Sequence, residues 1–296
     1  MKKFEISADS TCDFYCDEIK SSGIFVTPLD FVVTKNNEIV ERTDNFASQE
    51  EYEKYYEMLK NGYNAKTSIL NVQKHIDLFY GMAKKGVKKA LHISLGYGLS
   101  HTLDNATRAI EEVKKDFPTI HYEAIESNSA TIGEGFLVKA AIKMRDEGKT
   151  LEEAVKKLEE IKHFTQHFIL ANDLKFLARG GRISQLSANV GSLLQIKPII
   201  EFDKGGKLQV VRKEIGLKKA MNSILNDFSK FSLNKEFPYI AIVHTGAEAL
   251  AKEFQDMFKN KYGIEPEVRI MGPIIGAHVG PSAIAYAFVS NEERPY

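Results

Sequence analysis

The feature that most constrains the fold is an alternation of apolar runs and helical patterns through the first half of the chain. Apolar runs at 4–8, 87–93 and 119–125 predict strands, and helical periodicity follows two of them at 100–115 and 133–147. Strands that alternate with helices predict a parallel sheet covered by helices. Ligands of such sheets bind beyond the carboxyl ends of the strands.

Hydroxyl-bearing residues cluster at or near these strand ends. They occur at Asp9-Ser10, Thr67-Ser68, 94–100 and 126–129. A hydroxyl before a helix can cap it, or can bind an anion together with the free N–H groups of the helix. Both interpretations stay open for Thr67-Ser68 and for Ser100.

The second half of the chain predicts a different sheet. Strands near 196–202 and 207–213 are joined by Asp-Lys-Gly-Gly at 203–206, which is a hairpin signal. A hairpin excludes a purely parallel sheet. The predicted fold class is therefore α/β with two domains, an N-terminal parallel-sheet domain at 1–165 and a C-terminal mixed-sheet domain at 166–296. The boundary is expected in or just after a helix that extends from Thr150 to about His167.

The segment 174–200 carries the most distinctive pattern. Two glycines at 180–181 predict a tight turn that bears Arg179 and Arg182, and Ser184 can cap a following helix. Apolar residues surround the turn, so an anion with a hydrocarbon tail would suit it. The alternative is a surface turn whose arginines meet solvent or carboxylates.

A second distinctive segment, at 272–281, predicts a loop rich in glycine and proline in which His278 is the single ionisable residue. A charged imidazolium would suit an acidic head group, and a neutral ring could donate a hydrogen bond.

The turn at 94–102 resembles a dinucleotide-binding turn, but His101 stands where the third glycine belongs. We recognise no catalytic nucleophile motif, Walker loop or metal cluster, which favours binding over catalysis.

Composition argues against several classes of protein. Lysine plus arginine and aspartate plus glutamate number 40 each, so the attraction typical of nucleic-acid binders is missing. Cys12 and Cys16 are the two cysteines, at most half of a four-ligand zinc site. The sequence shows neither a signal peptide nor an apolar run of membrane-spanning length. These observations predict a cytoplasmic protein without stable membrane insertion.

Several motifs together resemble the DegV-like family of bacterial fatty-acid-binding proteins. They occur in family order over nearly the whole length: ADSTCDF at 8–14, TS at 67–68, ISLGYGLSHT at 93–102, ESNSATIGEG at 126–135, LKFLARGGRIS at 174–184, IKPII at 196–200, VVRK at 210–213 and GPIIGAHVGP at 272–281. The resemblance implies a two-domain α/β protein with one long-chain fatty acid in a tunnel between its domains, and no cofactor. It also implies a partner, a separate fatty acid kinase that converts the bound carboxylate to an acyl phosphate for phospholipid synthesis.

The resemblance also implies which residues bind the carboxylate. The family positions fall on Thr67, the turn ending at Ser100, Arg182, Arg212 and His278. This turn departs from the family pattern, which reads like SLSSGLSGT. Glycine and tyrosine at 96–97 replace the paired serines, and a histidine replaces a glycine. If the replaced serine binds the carboxylate, then Ser100, Tyr97 or His101 must take its place, or the ligand differs. The predicted ligand-binding residues are therefore Thr67, Ser68, Tyr97, Ser100, His101, Arg182, Arg212 and His278.

Two rival functions remain open at this point. One is an enzyme acting on a small carboxylated or phosphorylated substrate in the interdomain cleft, and the other is a regulatory binding module. A compact polar cavity would favour the enzyme, and a long apolar tunnel would favour the carrier.

Overall fold

The computed structural model describes residues 2–36, 38–184 and 195–296. Within these ranges the strands are β1 (Glu5–Asp9), β2 (Phe25–Thr27), β3 (Asp30–Lys35), β4 (Glu38–Thr43), β5 (Asn64–Thr67), β6 (Lys89–Ser94), β7 (His121–Glu126), β8 (Thr165–Leu170), β9 (Ile196–Phe202), β10 (Leu208–Ile215), β11 (Ile240–His244), β12 (Glu267–Ile270) and β13 (Ile284–Val289). The helices are α1 (Cys16–Ser22), α2 (Gln49–Lys60), α3 (Val72–Lys84), α4 (Thr102–Asp116), α5 (Ile132–Asp146), α6 (Leu151–Ile161), α7 (Lys175–Arg179), α8 (Leu217–Asp227), α9 (Glu248–Tyr262) and α10 (Pro273–Val279).

The predicted parallel sheet is confirmed. Its strand order is β2-β1-β6-β7, and each neighbouring pair is parallel. Helices α3 and α4 pack together on one face, where Phe79, Met82, Ala106 and Val113 form a buried cluster. Because all four strands run the same way, the ends of β1 and β6 lie side by side at Asp9 and Ser94.

The predicted mixed sheet is also confirmed, and its order is β10-β9-β8-β13-β11-β12. Strands β9 and β10 form the expected antiparallel hairpin, and β11 and β12 are parallel. Helices α8 and α9 cover one face with a core that includes Ile224, Phe254 and Phe258. The opposite face turns towards the parallel sheet.

Helix α5 lies between the two sheets, in contact with β1 and β6 on one side and with β8 and β13 on the other. Its buried residues include Phe136, Leu137, Val138 and Ala141, which lie on all sides of the helix. A helix with buried residues on every side lies inside the protein. The largest core cluster therefore contains residues of both halves of the chain.

A third sheet, with the order β4-β3-β5, was not predicted from the sequence. It is antiparallel, and Asn36 in the turn between β3 and β4 has a φ of 48°. Strand β4 has no buried residue, so it lacks the apolar alternation by which strands are recognised. Behind β3, Phe31 packs edge-on against Tyr55 of α2, with their ring centroids 5.4 Å apart.

Two predicted features were wrong. Helix α6 ends at Ile161, and the residues to His167 enter strand β8. The predicted loop at 272–281 contains helix α10, whose first residue is a proline, a residue that suits the first turn of a helix.

Two other expectations stay predictions. The helix expected after Ser184, with its apolar Leu186, lies outside the described residues. The domain boundary at 165 stays a prediction, although the mixed sheet starts at Thr165. None of the helices in the described ranges combines the length and hydrophobicity that a membrane span requires.

Candidate functional site

A cavity of about 860 Å³, measured to its open mouth, lies between the parallel and mixed sheets. Both halves of the chain line it with apolar side chains: Leu29, Leu95, Ala130 and Ile132 from the first, and Ile169, Leu177, Val243, Met271, Ile274, Ala285 and Ala287 from the second. The cavity thus presents a hydrocarbon-like wall with contributions from both sheets.

One side of the cavity is polar and partly exposed. Thr67, Ser68, Ser100, Arg182 and His278 all line it. They come from the end of β5, the turn before α4, the turn after α7, and α10. The structure therefore brings together five of the eight residues predicted from the sequence.

Thr67 and His278 are joined directly, since the Thr67 hydroxyl lies 2.8 Å from His278 Nε2. The other ring nitrogen faces the glycine turn, because a Cβ added to Gly180 would lie 2.3 Å from His278 Nδ1. A glycine at 180 is therefore required for the imidazole to fit. Burial, with help from the charges of Arg182 and Arg179, lowers the pKa of His278 to about 4. The ring is therefore neutral near pH 7, so of the charged and neutral forms considered from the sequence, the neutral one is present.

Arg182 is held in place by backbone carbonyls rather than by carboxylates. Its guanidinium donates to the carbonyl of Gly180 and, at 3.1 Å, to the carbonyl of Leu99. No acidic side chain in the ranges 2–36, 38–184 and 195–296 forms an ion pair with it. Burial lowers the pKa of Arg182 from its ordinary value, yet the group stays charged near pH 7. The cavity therefore contains a fixed positive charge without an acidic counter-charge.

The turn before α4 contributes one hydroxyl to the cavity. Ser100 Oγ lies 2.8 Å from the hydroxyl of Thr102, and the N-cap residue of α4, His101, makes no capping hydrogen bond with its side chain. At Gly96 a Cβ would lie 2.6 Å from the backbone nitrogen of Ser129, so a serine would not fit there without a backbone shift. The glycine that departs from the family pattern is thus explained by close packing.

Tyr97 and His101 do not line the cavity. Both side chains are exposed, and both lie next to Asp104: the tyrosine hydroxyl donates to its carboxylate, and His101 Nδ1 is 3.7 Å from it. The two rings contact each other, with centroids 5.4 Å apart. Of the three residues proposed to replace the family serine, Ser100 is the one that lines the cavity.

Arg212 lies on the other face of the mixed sheet, away from the cavity. Its guanidinium pairs with Asp227 and lies 3.5 Å from Glu201, and its Nε donates to Ser223 at 3.1 Å. The expectation that Arg212 lies with the other four family positions was therefore wrong. A β-bulge explains its position, because the pairing of β9 and β10 shifts between Val210 and Arg212. One extra residue moves every later side chain of a strand to the opposite face.

Comparison with known proteins identifies the family. The model of the DegV family, described as an uncharacterised protein family, matches residues 3–291. This chain belongs to the DegV family. A DegV domain-containing protein of Lactococcus lactis, YteA, is 32% identical over 292 residues, which cover 98% of this chain and 99% of the relative.

Solved structures of DegV proteins share the fold. DegV of Bacillus subtilis, described as a fatty acid binding protein, is 25% identical with a TM-score of 0.79, over 98% of this chain and 100% of that one. A stearic acid-binding protein of Eubacterium ventriosum is 20% identical with a TM-score of 0.83, over 97% and 98%. The two-domain α/β fold of this DegV protein is thus shared along nearly its whole length.

Sequence reasoning missed His167 as a residue of the DegV cavity. It had been placed at the end of a helix, but it lies in β8, lines the cavity, and its Nε2 is 2.8 Å from the Ser129 hydroxyl. Burial lowers the pKa of His167 well below its usual value, so the ring is neutral. The short apolar run Phe168-Ile169-Leu170 was the available signal, and the preceding helical pattern obscured it.

Asp13 supports the polar side of the cavity without lining it. It accepts a hydrogen bond from the Thr131 hydroxyl and one from the backbone N–H of Gly272, directly before α10. Burial raises the pKa of Asp13 to about 6, against the lowering effect of these hydrogen bonds and of Arg269. This residue therefore connects the first half of the DegV chain to the helix that carries His278.

Proposed function

We propose that this protein binds one long-chain fatty acid, with the hydrocarbon tail in the apolar cavity and the carboxylate at Arg182 and His278. It then presents the carboxylate to a separate fatty acid kinase. The observation that carries the proposal is the lining of the cavity: most of its side chains are apolar, and Arg182, His278 and Thr67 lie together at its partly exposed side. The ligands in the descriptions of solved relatives, stearic acid among them, support the same class of molecule.

The tail accounts for affinity. Burying a sixteen-carbon chain at ~0.8 kcal/mol per methylene contributes on the order of 10 kcal/mol. Association and ordering oppose this with an estimated ~4–15 kcal/mol. The apolar walls from both sheets make the tail the main source of binding free energy, so chain length should affect affinity more than any single polar contact does.

The head-group contacts account for selectivity. A buried carboxylate without partners is strongly unfavourable. Arg182 supplies the opposite charge, and Thr67, Ser100 and neutral His278 supply hydrogen-bond donors at the same side of the cavity. An alcohol of equal length would leave the arginine without a counter-charge, so the site should prefer the acid.

The exposed position of the polar side suits presentation to another protein. Ser68 and Ile69 lie at the mouth and are exposed, whereas Leu95 and Ala285 deeper in the cavity are buried. In the proposed reaction a carboxylate oxygen attacks the γ-phosphorus of ATP on the kinase. The bond from that phosphorus to the β,γ-bridging oxygen breaks, and ADP leaves. The role of this chain is to hold and orient the carboxylate while the tail stays out of water.

Native mass spectrometry of protein purified from cells tests the binding step. We expect a mass increment that matches one fatty acid and that disappears after denaturation, with the released acid identified by gas chromatography. Protein that stays reproducibly empty, also after incubation with palmitate and oleate, would contradict the proposal. A small phosphorylated compound in place of the acid would favour the rival enzyme function.

A reconstituted reaction tests the presentation step separately. The loaded protein, ATP and a bacterial fatty acid kinase are combined, and acyl phosphate is trapped with hydroxylamine as the hydroxamate. We expect hydroxamate only when protein, kinase and ATP are all present. Tight fatty acid binding without any hydroxamate would leave the lipid-binding function standing and reject the kinase partner.

A further inference from the structure

Three side chains with metal-ligating atoms meet inside the first half of the molecule, away from the cavity. Asp9 ends β1, His92 lies in the neighbouring strand β6, and His75 lies in the first turn of α3, which covers that sheet. Each side chain is at most 1% exposed. None of the three lines the cavity described above.

Their ligand atoms converge on one point. Asp9 Oδ1 lies 3.5 Å from His75 Nε2 and 3.4 Å from His92 Nε2, and the three atoms all lie within 4.8 Å of one another. Among the described residues, Asp9 Oδ1 and both ring nitrogens of His75 have no hydrogen-bond partner. Buried polar atoms are seldom left without partners, so these atoms call for an explanation.

The surrounding residues leave these atoms free and orient them. Asp9 Oδ2 accepts hydrogen bonds from the Ser94 hydroxyl at 2.7 Å and from the Leu95 backbone N–H at 3.3 Å. His92 Nδ1 lies 3.0 Å from the hydroxyl of Ser7, which directs its Nε2 towards Asp9. Metal-binding histidines and carboxylates commonly have their other polar atom fixed in this way.

We propose that Asp9, His75 and His92 form a structural zinc site that joins α3 to the parallel sheet. Tetrahedral ligands at zinc distances of ~2.0–2.2 Å lie roughly 3.3–3.5 Å from one another, which matches both measured carboxylate–imidazole separations. The Ser94 hydroxyl lies 3.4 Å from His92 Nε2 and donates to Asp9 Oδ2, so it holds both ligand residues in place.

The ligand set and its burial favour zinc over calcium or magnesium. Imidazole nitrogen suits zinc, whereas calcium and magnesium take oxygen ligands almost exclusively. The ion would fix α3, which directly follows the loop that brings Thr67 and Ser68 to the cavity. Its role would therefore be to hold one side of the cavity mouth in place.

Zinc retention on refolding tests the proposal. The full chain, without a histidine tag, is unfolded with a chelator, refolded with zinc chloride and desalted, and its metal content is measured by plasma mass spectrometry. We expect about one zinc per wild-type chain and roughly a tenth or less in His75→Leu, because metal binding is coupled to folding. The matched control is His121→Gln, which removes an exposed histidine that lies 2.9 Å from Glu123 and should retain the zinc.

A second measurement on the wild type does not depend on the folding of a variant. Cobalt replaces zinc during refolding. We expect a visible absorption band as intense as that of four-coordinate cobalt, and shifted proton resonances from two histidine rings in the NMR spectrum. A shared proton between Asp9 and the histidines would hold the cluster together without metal. Wild-type protein that retains neither ion, or a His75→Leu variant that retains zinc as the wild type does, would overturn the proposal.

Discussion

Arg182 and Arg212 occupy contrasting surroundings, although the family resemblance assigns both to the carboxylate. Arg182 lines the cavity and is held by two backbone carbonyls. Arg212 lies behind the mixed sheet, where Asp227 and Glu201 already balance its charge. The difference teaches that an arginine can receive an anionic ligand when its charge is not already balanced by the protein, and substitutions at the two positions should separate binding from stability.

The largest effect is expected for Arg182→Gln. Loss of a charge-assisted hydrogen bond to the bound carboxylate costs about 1.5–3 kcal/mol, which corresponds to about a 10–100-fold rise in the dissociation constant of palmitate. The melting temperature of the ligand-free protein should change little, because no acidic side chain of the described residues loses a partner and the two carbonyls that lose a donor belong to partly exposed residues. Fluorescent fatty acid displacement measures the affinity.

Arg179→Gln is the matched control on the same turn. Its side chain is exposed, stacks on Phe176 at 4.7 Å and donates to Asn64 rather than to the cavity. The affinity of this variant for palmitate should stay within about twofold of the wild type, because surface substitutions usually change free energies by no more than about 0.5 kcal/mol. Equal affinities of all three proteins would break the comparison.

The next largest effect is a loss of folding stability in Arg212→Met. This change leaves Glu201 and Asp227 buried without their arginine, and breaking such a pair costs about 3–5 kcal/mol when it is fully buried. Because Arg212 is 28% exposed, we expect about 1–3 kcal/mol in chemical denaturation. Fatty acid affinity should not change. A variant that loses fatty acid affinity but keeps its stability would show that Arg212 binds the ligand after all.

A pH dependence is expected from His278. Its pKa of about 4 in the ligand-free protein lies below the ordinary value near 6.5, so the unfolded chain binds more protons between these values. Stability of the ligand-free protein should therefore fall as the pH decreases from 6.5 towards 4. A bound carboxylate raises the pKa of His278, so fatty acid binding should take up a proton and tighten several-fold from pH 7.5 to 5.5. Calorimetry in two buffers of different ionisation enthalpy measures the uptake, and His278→Asn should remove it.

The smallest effect separates the three candidates for the missing family serine. Ser100→Ala removes a hydroxyl at the cavity and should weaken binding by about 0.5–1.5 kcal/mol, as for a neutral hydrogen bond. Tyr97→Phe and His101→Ala change exposed side chains that contact Asp104, so their affinities should match the wild type. The opposite ranking in the same displacement assay would show that the turn moves when ligand binds.

Much of the fold could be predicted because its signals are local. The apolar runs before Asp9 and Ser94 and the Asp-Lys-Gly-Gly turn at 203–206 identify the parallel sheet and the hairpin without any tertiary information. Strand β4 could not be recognised, since every residue of it is at least partly exposed. Helix α10 was read as a loop because Pro273 and Gly276 within it, and the glycines and proline that flank it, are poor helix formers, although tertiary packing overrides such propensities.

Site residues could be predicted where their motifs lie at strand ends. They could not be predicted where the position of a side chain depends on which face of a strand it occupies. The bulge between Val210 and Arg212 changes which side the arginine faces, and nothing in VVRK shows it. Asp9, His75 and His92 meet although no spacing of metal motifs connects them. Contacts of this kind follow from the packing of α3 on the parallel sheet rather than from sequence distance.

The most direct test of the central claim is a crystal structure of the protein with palmitate bound. We predict electron density for the tail between the two sheets, along Ile132, Val243 and Ala285, with the carboxylate within hydrogen-bonding distance of Arg182 and His278. Density that places the carboxylate at Arg212, or a cavity that stays free of ligand while the acid binds elsewhere, would contradict the account.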